Sequence, residues 1–301
     1  DQEADRILQR AGEPGELPVP AADALIQAAG ERLARLRQLL SLSERECATL
    51  ALCFAGETDP EVERLIAYVQ DDVSRKRPRV EVLLRLFWGE RVAAQAAFDL
   101  SEPLRKFRLV ALHEDPGQPA TPLLARTVTL DPRIARFLAG GEALDERLDG
   151  VASLHQLSES RAWRPVDPPP IDPTALSPRV LSLHGTDLMR MRRTASSLAH
   201  AAGLDGVVEV RLGTPDLSPV EAFERAAREA ALHSFAVLVR GWETVEEPAR
   251  ATVFTSVEAS PAPFVALAWE SEPTWHGPAV KIERPMILAT RSGMVIGTMN
   301  M

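Results

Sequence analysis

A proline-rich stretch constrains the fold of this chain more than any other feature. The segment RAWRPVDPPPIDPTALSPR, residues 161–179, contains six prolines. Proline fixes its own φ angle and has no N–H, so it interrupts helices and is excluded from central strands. We therefore predict a semi-rigid linker at 161–179 between a first domain at 1–160 and a second at 180–290, with an unassigned tail at 291–301.

The composition is that of ordinary folded domains. Of the 301 residues, 45% are hydrophobic and 26% are charged, a typical globular balance. The net charge of −9 argues against a protein that coats nucleic acid over its whole surface, but it leaves room for a local basic patch. The sequence has no apolar run of membrane-spanning length and its N-terminus lacks a signal-peptide core, so we expect a cytoplasmic location and no membrane partner.

The first half is predicted to be mostly helical. Apolar residues recur at three- and four-residue spacing through most of residues 21–98. Ser43 and Glu46 have the spacing of a capping box, and Asp59 followed by Pro60 marks another helix start. The pattern predicts several helices in succession, the last two of them short.

Strand-like runs replace the helical pattern after Pro103. LRKFRLVALHED and PLLARTVTLDP surround the polar turn EDPGQPAT and predict a β-hairpin, which the helical stretch DPRIARFLAGG follows. Several helices followed by a hairpin is the order of elements in a winged-helix domain. The predicted fold of the first half is therefore α+β and winged-helix-like.

The second half alternates between strand-like and helical segments. Helical stretches separate the strand-like runs RVLSLHG, GVVEVRL, FAVLVRG and PFVALAW, and IERPMILA is a candidate for a further strand. Strands separated by helices predict a parallel sheet that is covered on both faces, and the continuous apolar runs suit buried strands. The predicted fold of the second half is therefore α/β with a parallel sheet.

The first strand of this half ends where a phosphate-binding loop would lie. The G-x-x-x-x-G-K-[ST] motif needs glycines for close backbone approach, a lysine to neutralise phosphate and a hydroxyl to hold Mg²⁺. Gly185 fits the first glycine, but Arg190, Met191 and Arg192 replace the second glycine, the lysine and the hydroxyl. The motif is therefore degenerate.

Basic residues around this loop leave alternatives open. In a shifted frame Arg193 and Thr194 stand for the Lys-Thr pair, but the loop becomes longer and gains no second glycine. Arg190, Arg192 and Arg193 could still attract phosphate at a helix N-terminus, or they could form a solvated basic face. The candidate nucleotide-binding residues are therefore Gly185, Arg190, Arg192, Arg193 and Thr194.

The acidic residues of a nucleotide hydrolase are missing as well. A strand such as FAVLVRGWE should end in acids that hold Mg²⁺ and polarise the attacking water. Arg240 and Gly241 occupy those positions, and Glu243 lies two residues further on. The histidines and cysteines show no metal-ligand spacing. We therefore predict no catalytic residue, no metal site and no cofactor, with ATP or ADP binding as the disfavoured alternative.

A basic turn in the first half is the second candidate site. SRKRPR places Arg75, Lys76, Arg77 and Arg79 close together, and such side chains engage phosphates in DNA-binding domains. Two aspartates precede the turn, and the helix that follows, VEVLLRLFWG, has few base-reading side chains. The turn is therefore a candidate surface for nucleic acid or a protein partner, or a solvated turn without a ligand.

These features together resemble a known family. The helices and basic turn of LSERECATLALCFAGETDPEVERLIAYVQDDVSRKRPRVEVLLRLF, above all Tyr68–Pro78, and the hairpin runs resemble the winged-helix domain of AAA-type ATPases associated with phage-tail-like contractile injection systems. VLSLHG and FAVLVRGWE resemble the degenerate AAA module of the same proteins, so the resemblance covers residues 40–290. It implies a scaffold or regulatory part rather than the motor. It also implies AAA subunits or injection-system components as protein partners.

Three functional hypotheses follow. The leading one is a non-catalytic, ATPase-related protein that acts as a protein-interaction or assembly module. The second is a nucleotide-dependent AAA ATPase whose active module lies beyond residue 301. The third is a DNA-binding regulator that uses the winged helix.

Overall fold

The chain forms two compact units, Asp1–Ala143 and Leu144–Met301, in a computed structural model. The structure describes residues 20–89, 93–118, 120–157, 163, 165, 171–173, 176, 179–282, 288–290 and 293–295, with the backbone alone for 20–29, 93 and the residues after 282.

The described part of the first unit contains helices and one β-hairpin, as the sequence predicted. The two strands pair antiparallel, and Arg79 forms an isolated bridge to Thr127. Short 3-10 turns lie at Ala93–Phe98 and Leu123–Ala125. In chain order the elements are α1 (Pro20–Leu40, with a break at Gly30), α2 (Glu44–Thr58), α3 (Pro60–Val69), α4 (Val80–Phe87), α5 (Pro103–Lys106), β1 (Val110–His113), β2 (Thr127–Leu130) and α6 (Pro132–Leu138).

Local caps start the helices where the sequence predicted them. The N–H of Ser43 donates to the carboxylate of Glu46 at 2.7 Å, and the Ser43 hydroxyl accepts from the N–H of Glu46 at 3.3 Å, which completes the capping box. Asp59 accepts a hydrogen bond from the N–H of Glu61 at 2.8 Å, with Pro60 in the first turn. Helix α2 contacts α1, α3, α4 and β2 and is therefore the centre of this unit.

A six-stranded sheet forms the centre of the second unit. The strand order is β3-β5-β6-β7-β4-β8; β4 to β8 are parallel, and β3 pairs antiparallel with β5. A separate antiparallel pair consists of β9 and β10. The elements are β3 (Ala152–Gln156), β4 (Val180–His184), α7 (Leu188–Ala201), β5 (Gly206–Arg211), α8 (Pro219–His233), β6 (Ala236–Arg240), α9 (Glu247–Glu258), β7 (Val265–Trp269), β8 (Ala279–Lys281), β9 (Leu288–Thr290) and β10 (Gly293–Val295), with 3-10 turns at Glu146–Leu148 and Trp242–Thr244.

Helices cover both faces of this sheet. Leu183 of β4 and Leu238 of β6 pack with Leu198 of α7 on one face. Val208 of β5 packs on the opposite face with Phe223 of α8, in the cluster that also includes residues of α9. Successive strand residues point to opposite faces, so the apolar runs supply both cores, and the parallel α/β prediction is confirmed.

The domain boundary differs from the predicted one. The chain divides between Ala143 and Leu144 rather than near residue 160, because β3 pairs along its whole length with β5. Three described residues of the predicted linker, Trp163, Ile171 and Leu176, pack into the core on the α7 side. Most of the other residues at 161–179, and all of the predicted tail except β10, lie outside the described residues.

Candidate functional site

The loop after β4 is enclosed by the strands on both sides. The N–H of Gly185 donates to the carbonyl oxygen of Trp269 at the end of β7, at 2.9 Å. On the other side, the N–H of Ile282 donates to the carbonyl oxygen of His184 at 2.7 Å. A Cβ at position 185 would collide with the carbonyl oxygen of Ile282. The close passage of the chain after β8 therefore accounts for the glycine without any phosphate.

The N-terminus of α7 is capped from within the chain. Asp187 is the N-cap residue, and its carboxylate accepts a hydrogen bond from the N–H of Arg190 at 3.2 Å. Met191, in the lysine position of the motif, is 1% exposed and packs in the α7-side core. Because a capping carboxylate already uses the positive end of the helix, a second anion is attracted less strongly.

Arg192, in the position of the Mg²⁺-holding hydroxyl, binds a buried glutamate. Glu209 lies on β5 two residues after Val207, on the face that α7 covers, and is 4% exposed. The Nη2 of Arg192 donates to both carboxylate oxygens of Glu209 at 2.9 Å, and its Nε donates to Oε1 at 3.2 Å. This forked contact neutralises both charges and fixes the geometry of the pair.

Arg240, in the position of the Mg²⁺-associated acid, approaches the same carboxylate. Its Nε lies 2.7 Å from Oε1 of Glu209. The Nε–H is not aligned for a hydrogen bond, so this contact is an ion pair held by charge. One buried carboxylate is therefore shared by an arginine from α7 and an arginine from β6.

His155 and Trp163 complete the surroundings of Glu209. The Nε2 of His155 is 3.8 Å from Oε2 of Glu209 and 2.7 Å from the hydroxyl of Ser153. The rings of His155 and Trp163 stack with centroids 4.3 Å apart, and the Arg192 guanidinium lies 5.6 Å from the Trp163 centroid, which suits a cation–π contact. Burial lowers the pKa of His155; Glu209 opposes this effect and Arg192 adds to it.

We refer to Glu209, Arg192, Arg240, His155 and Trp163 as the Glu209 cluster. A phosphate would have to compete for the two guanidiniums with a carboxylate that the fold already holds between them. The positions that should supply a hydroxyl and an acid to Mg²⁺ supply two cations instead. The residues present therefore do not fit a Mg²⁺–nucleotide, and no hydrolytic step can be derived through one.

The other candidate residues do not rebuild the loop. Arg193 and Thr194 lie in the second turn of α7, beyond the free N–H groups of its first turn. The Nε of Arg193 is buried and has no hydrogen-bond partner among the described residues. The shifted frame therefore places its Lys-Thr equivalent too far along the helix for a loop that wraps phosphate.

The acidic residue after β6, Glu243, forms a hydrogen bond to the backbone just after β7. Gly241, with φ 84°, starts a 3-10 turn that buries Trp242 against Trp269, with ring centroids 4.8 Å apart. Glu243 accepts a hydrogen bond from the N–H of Glu270 at 2.9 Å. Its carboxylate therefore has a local structural contact rather than the position of a catalytic acid.

A glutamine organises the basic turn of Arg75, Lys76, Arg77 and Arg79 in the first unit. Gln70 is the C-cap of α3. Its Nε2 donates to the carbonyl oxygens of Arg75 at 2.8 Å and Arg77 at 3.0 Å, and its Oε1 accepts from the N–H of Arg79 at 3.0 Å. The turn is therefore a fixed structure.

The first arginine of this turn is paired twice. Arg75 lies 2.8 Å from Asp72 and 2.8 Å from Asp115 in the turn of the hairpin. Hydrogen bonds from Ser74, followed by that from Arg75, lower the pKa of Asp72. The N–H of Gly117, followed by Arg75, lowers the pKa of Asp115. The arginine therefore joins the basic turn to the hairpin.

A glutamate of α3 is shared by the next two basic residues. Glu63 lies 3.4 Å from the Nζ of Lys76 and 3.7 Å from Nη1 of Arg77. Arg77 also donates to the carbonyl oxygen of Gly56 at 2.7 Å. The predicted surface of Arg75, Lys76, Arg77 and Arg79 is therefore largely neutralised within its own unit.

The helices near the hairpin are too buried or too short to read a DNA groove. Every residue of α4 is buried or half-buried, with Val80, Val82, Leu83 and Leu84 fully inside. The α-helix directly before the hairpin, α5, is four residues long. A major groove is read by an exposed helix or ribbon, so the interpretation of VEVLLRLFWG as core is confirmed.

Sequence reasoning missed the carboxylates and the amide that hold both candidate sites. Glu209 is a single acid in an apolar strand, and a buried charge requires a partner; that signal was present in GVVEVRL. The pairing of Glu63 and Asp115 with the basic turn had no sequence signal, because the partners come from other elements. Gln70 lies in YVQDD, within the stretch Tyr68–Pro78 on which the resemblance described above mainly rests.

One family model matches the N-terminal part of the chain. Residues 24–152 match the family model described as winged helix domain, variant, which confirms the winged-helix prediction for the N-terminal part. Searches of curated proteins and of solved structures found no match. Within the residues that the structure describes, no helix is long and apolar enough to cross a membrane. The same residues contain no group of three or more His, Cys, Asp and Glu side chains that could hold a metal ion.

Proposed function

We propose that this chain is a non-catalytic, ATPase-related module for protein interaction or assembly, in which a winged-helix unit is joined to a degenerate AAA-like unit. The observation that carries the proposal is the Glu209 cluster. Arg192 and Arg240 stand where Mg²⁺ chemistry needs a hydroxyl and an acid, and both are paired with one buried carboxylate. The cluster stabilises the fold where a hydrolase would keep ligands for a metal.

Simple restoration of the loop does not restore the chemistry. A lysine at Met191 would place a charge in the α7-side core. A threonine at Arg192 would remove the forked partner of Glu209 and leave that carboxylate with Arg240. We therefore expect the triple change Arg190→Gly, Met191→Lys, Arg192→Thr to give no Mg²⁺-dependent turnover.

A calorimetric titration of the full chain tests the proposal. ATP and ADP are titrated at about 1 mM with and without Mg²⁺, since binding weaker than that is negligible for a nucleotide module. We expect no heat of binding. Micromolar binding that requires Mg²⁺ would overturn the proposal and make the second unit a nucleotide sensor.

An interaction role is favoured over DNA reading by the charges of the first unit. Duplex binding requires many basic side chains that are available to contact phosphates. Arg75, Lys76 and Arg77 are instead paired with acids of the same unit. Replacing Arg75, Lys76, Arg77 and Arg79 with alanine should leave duplex affinity unchanged. A salt-sensitive affinity that this variant loses would favour the DNA-binding alternative instead. AAA subunits or injection-system components are the partners that the family resemblance suggests.

A further inference from the structure

The end of α3 and the turn after it expose two large apolar side chains. Tyr68, in the last turn of α3, is 66% exposed, and Val73, in the turn, is 88% exposed. Among the described residues, the other large apolar side chains that are exposed are Leu100 and Met189. Tyrosine is enriched at protein–protein contacts, and a pair of exposed apolar side chains close in sequence favours such a contact here.

Hydrogen bonds hold this turn in one conformation. The N–H of Asp71 donates to the carbonyl oxygen of Tyr68 at 3.0 Å. On the far side of Val73, the carboxylate of Asp72 accepts a hydrogen bond from the N–H of Ser74 at 3.0 Å. A surface that is already ordered loses little conformational entropy when a partner binds.

Unpaired charges of opposite sign lie on either side of Tyr68. Arg64 lies one helical turn before it on the exposed face of α3, and Asp71 follows it in the turn. Both side chains are exposed, and neither forms a hydrogen bond or an ion pair with any described residue. Glu61 is also exposed and lies at the far end of the helix face. The order around the ring is therefore cation, aromatic side chain, anion.

We infer that two copies of this chain associate as a symmetric dimer through the Tyr68 face, which consists of Arg64, Tyr68, Asp71 and Val73. A two-fold axis close to Tyr68 places Arg64 of one copy opposite Asp71 of the other, and symmetry forms the same pair a second time. Tyr68 then packs at the centre, where contacts contribute most to binding. The inference rests on the proposed interaction function and names the partner as a second copy.

A second copy fits this face better than a nucleic acid or an unrelated protein. Asp71 and Glu61 would repel a phosphate backbone. An unrelated protein would have to supply an acid opposite Arg64 and a base opposite Asp71 at the same spacing, whereas a second copy supplies both. Because the face is small, the dimer is weak and depends on protein concentration.

Sedimentation velocity with the full chain tests the dimer. Between about 1 and about 200 µM, a range that spans a micromolar Kd, we expect a shift from monomer to dimer. Tyr68→Asp should weaken association about tenfold or more, because it places a charge at the apolar centre. The matched control is Leu100→Asp, the same kind of change at a leucine that is 75% exposed and lies outside α3 and its turn. It should leave association nearly unchanged.

Charge exchange tests the symmetry of the contact. Arg64→Glu alone and Asp71→Arg alone should each weaken association about tenfold or more, because both pairs become like charges. An equimolar mixture of these two variants should dimerise again, since every cation then meets an anion. Arg45→Glu, at an exposed residue of α2 without an ion pair among the described residues, is the control and should have little effect.

Four results would overturn the inference: a monomer at every concentration, a dimer that Tyr68→Asp leaves intact, equal weakening by the controls, or no recovery in the mixture. Asp71 has φ 51°, so if Asp71→Arg fails to fold, Asp71→Asn replaces it, since asparagine tolerates that conformation. Its mixture with Arg64→Glu should still associate more tightly than Arg64→Glu alone. A monomeric chain that also binds no nucleotide would remove the dimer and leave the proposed function standing.

Discussion

Two glutamates, Glu63 in the first unit and Glu209 in the second, are each shared by two cations. Glu63 lies 3.4 and 3.7 Å from Lys76 and Arg77, and its side chain is 25% exposed. Glu209 lies 2.9 and 2.7 Å from Arg192 and Arg240, and its side chain is 5% exposed. Charges that reach water gain little from pairing, whereas a buried carboxylate depends on its partners.

The difference explains why two similar basic clusters have different consequences. Around Glu63 the pairs reduce the charge that a phosphate or an acidic partner would see. Around Glu209 the two arginines are partly exposed, but they compensate a carboxylate that is buried in the sheet and thereby stabilise the fold. Residue type alone therefore does not reveal whether an arginine is available to a ligand; the burial of its partner does.

The largest expected effect is on the buried side of this comparison. Glu209→Gln removes the charge that compensates two arginines, and we expect the second unit to lose about 3 kcal/mol of unfolding free energy. The value lies at the lower end for buried pairs because both arginines keep some contact with water. Urea unfolding followed by tryptophan fluorescence measures it, since four of the five tryptophans lie in the second unit. A loss under about 1 kcal/mol would mean that the cluster is not a structural core.

Glu63→Gln is the matched control on the exposed side. The same atoms change, but Lys76 and Arg77 stay solvated, so we expect a loss of at most about 1 kcal/mol that shrinks further in high salt. Urea unfolding followed by circular dichroism at low and high salt measures it. A loss as large as that of Glu209→Gln would end the distinction between the two clusters.

The glycine after β4 gives an effect of intermediate size. Gly185→Ala places a Cβ against the carbonyl oxygen of Ile282, and we expect a loss of about 1–3 kcal/mol, the usual cost of overpacking. The measurement is again urea unfolding. Gly117→Ala is the control, because a Cβ there meets only an ordinary contact at 3.6 Å. Equal stability of the two variants would contradict the packing explanation for Gly185 and would favour the hypothesis that it is a phosphate-loop glycine.

Periodicity predicted most of the secondary structure and little of the site. The helices, the hairpin and the parallel strands follow from spacing and caps that neighbouring residues supply. Strand β8 was missed because three residues give no periodic signal, and β3 was assigned to the first domain because the prolines after it dominate the local pattern. The pairing of Arg192 with Glu209 joins a helix to a strand and is set by tertiary packing. That pairing, rather than the motif, decides what the loop can do.

The smallest expected effect concerns pH at the buried cluster. Burial lowers the pKa of His155 from 6.5, with Glu209 opposing and Arg192 adding to the change, so the folded protein favours the neutral ring. The resulting stability is present above about pH 6.5 and is lost as the pH falls through that value toward the lower folded pKa. His155→Phe keeps the stacking on Trp163 but removes this titration, so between about pH 7.5 and about pH 5.5 its melting temperature should fall less than that of the wild type. A larger fall in the variant would mean that attraction between the protonated ring of His155 and Glu209 exceeds the cost of burying the positive charge. The two arginines would then not fully compensate the negative charge of Glu209.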